Sequence, residues 1–331
     1  MTAPGATRDL LELPKAHLHI HLEGAMRSGT LHELAERYAM QVPPTRGFGS
    51  FSAFSHMYVA ACQVLRTEDD FRRLIREVAE DGARAGAVWI EPAIYLPHHR
   101  ERLGGDEALL ELSIAAAADA SAATGVGVGI MVASDRTVDP SVAIEQAELA
   151  ARFAGRGVVA FGLANDEAGH PPEPFAPAYA IARSAGLLST PHAGELAGPE
   201  SVRGALDALG ADRIQHGVRS IEDPELIARL AAEGVCLDVC PSSNVLLSVV
   251  PDIASHMLPA LLDAGVRCSL NADDPLLFGP GLLEEYELCR EVFGFDDAVL
   301  AGLARTSIEA SGAPTEIKAR AAVDIDAWLA G

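Results

Sequence analysis

Short runs of apolar, often β-branched residues alternate along this chain with segments whose apolar positions recur at helical spacing. The runs predict strands without a polar face, at residues 15–22, 87–94, 125–133, 158–164, 187–193, 212–217, 234–240 and 266–271. The intervening segments predict helices, among them 68–85, 105–123, 140–153, 174–185, 199–209, 222–233 and 253–265. Strands of this kind are typical of a parallel sheet that helices cover on both sides.

The repetition of this β–α unit predicts the architecture of the whole chain. Eight alternations indicate an α/β fold, a (β/α)8 barrel of the TIM type, and residues 1–331 are expected to form one domain. An open, doubly wound sheet is the structural alternative. That fold is expected to carry a glycine-rich phosphate turn after an early strand, and no G-x-G-x-x-G follows the first strand here.

Two segments depart from the β–α repeat. Residues 26–86 predict a long helical insertion after the first strand, and residues 296–330 predict C-terminal helices that close the structure. The insertion contains an aromatic and apolar patch formed by Phe48, Phe51, Phe54, Met57 and Tyr58. Its helical spacing predicts mainly core packing, and a lid over a site at the barrel mouth is the alternative.

Charge narrows the range of partners. The 331 residues include 25 Lys and Arg against 47 Asp and Glu, which gives a net charge of −22. Nucleic acids and anionic membranes bind basic surfaces, so this balance argues against both as partners. No apolar run reaches the roughly 18 residues that a membrane span requires. We therefore expect a small molecule as the partner, and a homo-oligomer is left open.

The cysteines indicate a reducing environment. There are five, an odd number, scattered along the chain and mostly within apolar runs: Cys62, Cys236, Cys240, Cys268 and Cys289. Reduced and packed thiols have this distribution. No positively charged segment followed by an apolar one marks a signal peptide at the N-terminus. The two observations together predict a cytoplasmic protein.

The first predicted strand carries an unusual row of histidines. His17, His19 and His21 occupy alternate positions between apolar residues. Successive side chains of a strand point to opposite faces, so the alternation predicts three imidazoles on one side. Such a row on a buried strand is costly unless something binds it. Imidazole ligands favour zinc, and we expect two of the three to hold a divalent metal.

Further residues capable of metal binding or acid–base chemistry lie where other predicted strands end. His192 and Glu195 follow the fifth strand, His216 ends the sixth, and Asp273 and Asp274 follow the eighth. In a (β/α)8 barrel these strand ends form one rim, where active sites are built from several strands at once. The sequence therefore predicts a metal centre with an open position for water at the barrel mouth.

Five motifs at these positions resemble those of the adenosine deaminase family, within the metal-dependent amidohydrolase superfamily. They cover nearly the whole chain in the family's order: His19-Ile-His-Leu-Glu-Gly24, Pro191-His-Ala-Gly-Glu195, Arg213-Ile-Gln-His-Gly217, Cys240-Pro-Ser-Ser-Asn244 and Ser269-Leu-Asn-Ala-Asp-Asp-Pro275. The resemblance implies hydrolytic deamination of a 6-aminopurine, most simply adenosine or a related adenine nucleoside. It also implies one Zn²⁺ per chain, with the ligands His19, His21, His192 and Asp273.

The same resemblance implies the catalytic roles. Glu195 matches the acid that shares a proton with purine N1. His216 matches the residue that orients and deprotonates the attacking water, and Asp274 matches the side chain that hydrogen-bonds purine N7. Gly194 and Phe54 are expected to contribute to substrate binding as well.

Two departures from the family pattern concern the substrate. Glu23 stands where relatives acting on adenosine commonly have the shorter aspartate, which contacts the sugar hydroxyl. Asn165 replaces a glycine whose backbone N–H serves purine N3. Both are expected to line the substrate pocket. Together they keep free adenine, or a 5′-modified adenosine such as aminodeoxyfutalosine, open as alternative substrates.

Two functions of other classes are weighed against deamination. A barrel hydrolase that cleaves amides or phosphoesters commonly bridges two metals with a lysine. The only lysines of this chain, Lys15 and Lys318, are not at the ends of predicted strands. The other alternative is a catalytically silent binding protein. The water-activating set of Glu195, His216 and Asp274 argues against it.

Some polar residues are expected to have supporting roles. His17 is interpreted as packing behind the metal ligands, and a direct ligand is the alternative. The segment 240–244 is interpreted as shaping a loop. His98, His99 and His170 are expected to be solvated in loops.

Overall fold

The computed structural model describes residues 7–331. It contains nine β-strands, and eight of them follow one another around a barrel while the two-residue strand β3 pairs beside β2. In chain order, β1 to β9 are Lys15–His21, Ala87–Ile94, Gly127–Val128, Ile130–Asp135, Val158–Ala164, Leu188–Ala193, Arg213–His216, Cys236–Val239 and Arg267–Leu270.

All neighbouring strands of the barrel are parallel, in the order β1-β2-β4-β5-β6-β7-β8-β9. The predicted (β/α)8 fold is therefore confirmed. The predicted strand 125–133 differs in detail, because it is divided at Gly129 and the barrel strand β4 extends to Asp135. A Cβ atom at Gly127 or Gly129 would lie within 3 Å of the Trp89 ring, so this segment accommodates that ring only with glycine.

Fourteen α-helices complete the described part of the chain. In chain order, α1 to α14 are Ser28–Arg37, Phe51–Cys62, Glu68–Arg84, Asp106–Thr124, Pro140–Arg152, Ala176–Ser184, Pro199–Leu209, Pro224–Glu233, Pro241–Leu246, Leu258–Asp263, Pro275–Phe278, Leu282–Phe293, Asp297–Ala310 and Thr315–Ala330.

Local sequence signals set many of these helix ends. Asp139 and Asp223 accept hydrogen bonds from the first free N–H groups of α5 and α8, and a proline follows each of them at the first helical position. Gly210 and Gly234 end α7 and α8 in the left-handed conformation, which costs glycine little. These ends explain why the predicted helices 140–153, 199–209 and 222–233 agree closely with α5, α7 and α8. The predicted helix 253–265 is shorter in the structure, where α10 begins at Leu258.

Both interruptions of the repeat are helical, as predicted. The insertion folds into α1, α2 and α3, and the C-terminal segment folds into α13 and α14, with α13 against β1 and β9. The patch on the insertion forms its own cluster with Leu277 and Phe278, separate from the main core. No helix among residues 7–331 is both long and apolar enough to cross a membrane.

A buried ionic network crosses the barrel interior. The Arg213 guanidinium donates to Glu91 Oε2 at 2.7 Å and to Asp238 Oδ2 at 3.0 Å, and none of the three side chains is more than 1% exposed. Because charged groups without partners are strongly disfavoured in a low-dielectric interior, this pairing constrains β2, β7 and β8 relative to one another. Two of these strands lead into residues of the site.

Candidate active site at the carboxyl ends of the strands

Closure of the barrel brings Asp273 beside the histidines of β1. Ile20 and Asp273 form a parallel bridge between β1 and the segment after β9. The His21 N–H donates to the Asp273 carbonyl, and the Asp273 N–H donates to the His19 carbonyl, each at 3.0 Å. Asp273 has a φ of +59°, a left-handed conformation that is uncommon outside glycine. The tertiary hydrogen bonds stabilise that strained backbone.

Four side chains converge at this point. One ligand atom from each of His19, His21, His192 and Asp273 lies within 4.8 Å of the others. Asp273 Oδ1 is 3.3 Å from Nε2 of both His19 and His21, and the Nε2 atoms of His19 and His192 are 3.1 Å apart. The four predicted ligands are therefore brought together from β1, β6 and the segment after β9.

The hydrogen bonds behind the imidazoles show what the group can bind. His19 Nδ1 lies 3.1 Å from the Asp238 carbonyl, and His192 Nδ1 lies 2.8 Å from the Leu163 carbonyl. A carbonyl only accepts, so both rings carry their proton on Nδ1 and direct an Nε2 lone pair at the other ring. Burial, followed by the neighbouring imidazoles, lowers the pKa of His192 well below its usual value.

Facing lone pairs beside a carboxylate repel one another unless a cation lies between them. Two nitrogens at about 2.0–2.1 Å from one tetrahedral zinc would be about 3.3 Å apart, close to the observed 3.1 Å between His19 and His192. The donor set, the tautomers and the spacing therefore fit a divalent metal held by His19, His21, His192 and Asp273.

Glu195 and His216 lie next to this group. His216 Nε2 is 3.4 Å from Glu195 Oε1 and 3.7 Å from Asp273 Oδ2, and both side chains are buried. Burial, followed by the charges of Asp273 and Glu167, raises the pKa of Glu195 well above its usual value. Burial therefore favours the protonated, uncharged form of this carboxyl. A buried carboxyl of raised pKa beside a metal-binding group has the properties of a general acid.

Glu167 holds the loop that carries Glu195, a role that the sequence did not reveal. Its carboxylate accepts hydrogen bonds from four consecutive backbone N–H groups, of residues 194–197, at 2.6 to 3.0 Å. Arg136 joins the arrangement by donating to the His192 carbonyl at 2.8 Å. Glu167 comes just after β5, so its place at a strand end was the signal available in the sequence.

A cavity of about 740 Å³, its open mouth included, lies over these residues. Phe54, Asn165 and Asp274, three of the predicted substrate-binding residues, line it. Glu23 and Gly194 are not on its surface. The Gly194 N–H donates to Glu167. Gly194 has a φ of +68°, and a Cβ atom at this position would lie 2.5 Å from Val202 Cγ2, which explains why the position has no side chain.

The insertion supplies one wall of this cavity. Phe51, Phe54 and Tyr58 of α2 line it, and the Phe54 ring stacks on Phe278 at 5.1 Å. The prediction of mainly core packing therefore describes only part of the patch, because the same side chains form the wall over the strand ends. This is the position that the alternative, a lid, requires.

Glu23 lies behind that wall rather than on it. Its carboxylate accepts from Tyr58 Oη at 2.7 Å and contacts His99 Nε2 at 2.6 Å. Burial opposes the charge, but the hydrogen bonds from His99 and Tyr58 lower the pKa of Glu23 below its usual value. The expectation that His99 is solvated is wrong, since this side chain is fully buried against Glu23. Loop position alone did not reveal that partner.

Asn165 retains a glycine-like backbone at the cavity rim, with a φ of +80°. Its side chain stabilises that conformation, because Nδ2 donates to Asp135 Oδ2 at 2.8 Å and Oδ1 accepts from the Asp166 N–H at 2.8 Å. Asparagine tolerates the left-handed region better than most residues. Replacing the family's glycine with asparagine therefore keeps the path of the backbone and adds a side chain to the wall.

His17 does not join the other two histidines of β1. It lines a second cavity together with Ile20, and its Nε2 accepts from the Ala272 N–H at 3.1 Å. The prediction that all three imidazoles share one face is therefore wrong. The pairing of β1 with β2 has register shifts on both sides of His17, and these interrupt the simple alternation. The interpretation of His17 as a packing residue is compatible with this position.

The segment 240–244 is not a loop as interpreted from the sequence, because Pro241–Leu246 forms the short helix α9, and its side chains support the site. Ser243 Oγ donates to Asp273 Oδ2 at 2.7 Å, and Asn244 Nδ2 lies 3.1 Å from His216 Nδ1. Cys240 Sγ lies 3.4 Å from His19 Nδ1. Three residues of one short segment therefore contact three different residues of the site from behind. The sequence contained the motif but not these contacts.

Gly24 provides a test of how Asp274 is placed. A Cβ atom at Gly24 would lie 1.6 Å from Asp274 Oδ1, so Gly24→Ala is expected to displace that carboxyl from the cavity. A misplacement of about 1 Å costs on the order of 100-fold in rate, and we expect this loss in kcat/KM with bound metal retained. Gly29→Ala is the matched control, because its Cβ would meet nothing within 4 Å. Equal activity of the two variants would contradict the steric role of Gly24.

Parallel strands whose carboxyl ends gather imidazole and carboxylate ligands beside a buried acid fit the class of metal-dependent hydrolases. Comparison with known proteins gives the family. The family model described as adenosine deaminase matches residues 14–328. The chain belongs to the adenosine deaminase family, whose members are hydrolytic deaminases.

Individual relatives agree with this assignment. A Streptomyces coelicolor protein, provisionally named adenosine/adenine deaminase, is 46% identical over 97% of this chain and 98% of its own length. The crystal structure of an adenine deaminase from Arthrobacter aurescens superposes with a TM-score of 0.90 at 32% identity, covering 96% of this chain and 99% of that one. The crystal structure of a zinc-bound amidohydrolase from Burkholderia ambifaria superposes with a TM-score of 0.86 at 29% identity, covering 97% of this chain and 93% of that one.

Proposed function

We propose that this enzyme catalyses zinc-dependent hydrolytic deamination of a 6-aminopurine, and that free adenine is its preferred substrate. The observation that carries the chemistry is the convergence of four metal-binding side chains with Glu195, His216 and Asp274 beneath one cavity. Membership of a family of hydrolytic deaminases supports the reaction class.

The metal is proposed to be one Zn²⁺ per chain, held by His19, His21, His192 and Asp273. Three neutral imidazoles and one carboxylate suit zinc, and a structural relative is described with bound zinc. Bound there, the ion would lower the pKa of a coordinated water to about 7 and supply a nucleophile at neutral pH.

Glu195 is proposed as the proton donor. Attack of water at purine C6 forms the C–O bond and moves an electron pair onto N1, which must then take up a proton. The carboxyl of Glu195 can supply it, because burial raises its pKa and favours the protonated form. The C6–N6 bond then breaks, and the amine leaves as ammonia with a proton recovered from the attacking water.

Asp274 is proposed to fix the orientation of the purine ring by a hydrogen bond to N7. Its carboxyl lines the cavity, and Oδ1 has no hydrogen-bond partner among residues 7–331. Burial and the adjacent Asp273 raise the pKa of Asp274 well above its usual value. A protonated carboxyl can donate to N7, which is an acceptor.

The proposal of adenine over adenosine depends on Glu23. Relatives that act on adenosine use an acid at this position for the sugar hydroxyl. In this chain both Glu23 oxygens are occupied, one by Tyr58 and one by His99. The Tyr58 ring stands between Glu23 and the cavity, 6.1 Å from the His21 ring. A ribose would have to displace this wall without gaining a free carboxylate in return.

Ammonia release from adenine, adenosine and 5′-substituted adenosines, measured in parallel with one preparation of zinc enzyme, tests the proposal. We expect kcat/KM for adenine to exceed that for each nucleoside by about 100-fold or more. A preference for a nucleoside would overturn the choice of adenine and leave the deaminase chemistry intact. Absence of ammonia with every 6-aminopurine would refute the proposed function.

A further inference from the structure

A chain of three hydrogen bonds leads away from His216 on the side opposite Glu195. Asn244 Nδ2 is 3.1 Å from His216 Nδ1, and His256 Nε2 is 3.0 Å from Asn244 Oδ1. The backbone N–H of Leu258 is 3.0 Å from His256 Nδ1 and ends the chain. His216, Asn244 and His256 are all buried, so water does not compete for these bonds. None of these contacts was expected from the sequence.

The direction of every bond follows from the last one. The amide of Leu258 can only donate, so His256 Nδ1 must accept and carries no proton. Burial lowers the pKa of His256 to about 4, so at neutral pH its ring is uncharged and has its single proton on Nε2. That N–H donates to the Asn244 oxygen. The Leu258 N–H therefore fixes which end of the Asn244 amide is the oxygen, although the two ends of the amide have similar shapes.

The orientation of the Asn244 amide also determines the tautomer of His216. With its oxygen turned to His256, Asn244 presents its NH2 group to His216 Nδ1, which must accept. A neutral His216 then carries its proton on Nε2, the nitrogen that faces Glu195 Oε1 at 3.4 Å. His19 and His192 have the opposite tautomer, because backbone carbonyls face their Nδ1 atoms. One site therefore contains two kinds of imidazole, set apart by what lies behind each ring.

We propose that His256, acting through Asn244, is a positioning residue that holds His216 in the Nε2–H tautomer. In the resting enzyme His216 then presents a donor to the cavity. It orients the oxygen of the attacking water, or stabilises charge that develops on it, instead of removing its proton. This differs from the deprotonating role that the family resemblance implies. The catalytic consequence rests on the proposed function, whereas the tautomer does not.

Asn244→Asp distinguishes this role from simple space filling. The substitution keeps the size and shape of the side chain but replaces the donor to His216 with an acceptor. The His256 N–H can still donate to one carboxylate oxygen. The other oxygen needs a donor from His216, so the ring proton moves from Nε2 to Nδ1. A space-filling role would leave the tautomer unchanged.

Histidine 15N resonances of the zinc-loaded enzyme report the tautomer directly, and His216 is assigned from the signals that disappear in His216→Gln. We expect Nε2–H in the natural enzyme and Nδ1–H in Asn244→Asp. The kcat of Asn244→Asp should fall about 100-fold or more with KM and zinc content little changed, because the wrong tautomer of a catalytic histidine is costly. An Nδ1–H tautomer in the natural enzyme would overturn the proposal, as would an unchanged kcat in Asn244→Asp.

Variants of His256 test the far end of the chain. His256→Leu removes the donor to Asn244 and should lower kcat by about tenfold, with a mixture of His216 tautomers. His256→Gln places an amide N–H near the position of Nε2 and should restore most of the turnover and the single tautomer. Equal turnover of the leucine and glutamine variants would contradict the positioning role. The resonances are read without substrate, so they test the tautomer even if no aminopurine is deaminated.

Discussion

Glu195→Gln is expected to lower kcat by about 10³-fold while the enzyme keeps its metal. General acid catalysis contributes on the order of 10²–10⁴ in rate. Glutamine keeps the size of the side chain and its place in the loop, but its amide cannot supply the proton that N1 requires. The measurement is kcat for ammonia release beside metal content by elemental analysis.

The matched control for this variant lies in α7, the helix that follows the loop of Glu195. Glu200 is exposed in the first turn of α7, and its one hydrogen-bond donor among residues 7–331 is the Gly198 N–H, at 3.2 Å. Glu200→Gln makes the same chemical change five positions away, and its kcat should stay within about twofold of the natural enzyme. A loss of less than tenfold in Glu195→Gln would remove Glu195 from the acid role.

The adjacent residues Asp273 and Asp274 should differ in metal content when each is replaced by asparagine. Asp273→Asn is expected to lose metal and activity together, because it removes the only carboxylate of the four-ligand group. Removing even a residue behind a ligand costs about 10–100-fold in metal affinity, so loss of a ligand should cost more. Asp274→Asn should keep its metal and lose kcat/KM, because its carboxyl lines the cavity but does not belong to the four-ligand group.

Titration of both variants with a chelator of known affinity, followed by elemental analysis, gives the comparison. The melting temperature with and without added zinc supplies a second measurement, since an ion that binds only the folded state stabilises it. Natural metal content in Asp273→Asn would remove Asp273 from the ligand set. Loss of metal in Asp274→Asn would show that the two carboxylates were assigned to the wrong roles.

The fold could be predicted from the sequence because its signals are local. An apolar strand followed by a helix of regular period recurs along the chain, and each unit predicts its own two elements. The break at Gly129 was not predicted, because it depends on the ring of Trp89, which is distant in sequence. The insertion was predicted as helical, but its place over the cavity depends on contacts with Phe278 from the other end of the chain.

The site likewise contains residues that a local sequence signal revealed and residues whose surroundings depend on distant parts of the chain. His21, His192 and Asp273 could be found because each lies at or just beyond the end of a strand, and barrel topology brings strand ends to one rim. His17 shares their residue type and spacing but faces another cavity, because register shifts interrupt the alternation of β1. The partner of Glu23, His99, is 76 positions away, and no local pattern connects them.

The sequence by itself determined the barrel and the gathering of polar residues at strand ends, because strand and helix periodicity and the position of those residues are properties of short segments. The expected ligand set and the reaction class came from the resemblance of five motifs to the adenosine deaminase family. The tertiary structure decided which nitrogen of each imidazole carries the proton, which acid is free for substrate and which is occupied, and what supports the loop of Glu195. Those properties depend on what lies behind a side chain. That environment is supplied by residues distant along the chain, such as Asp238 behind His19 and His256 behind Asn244.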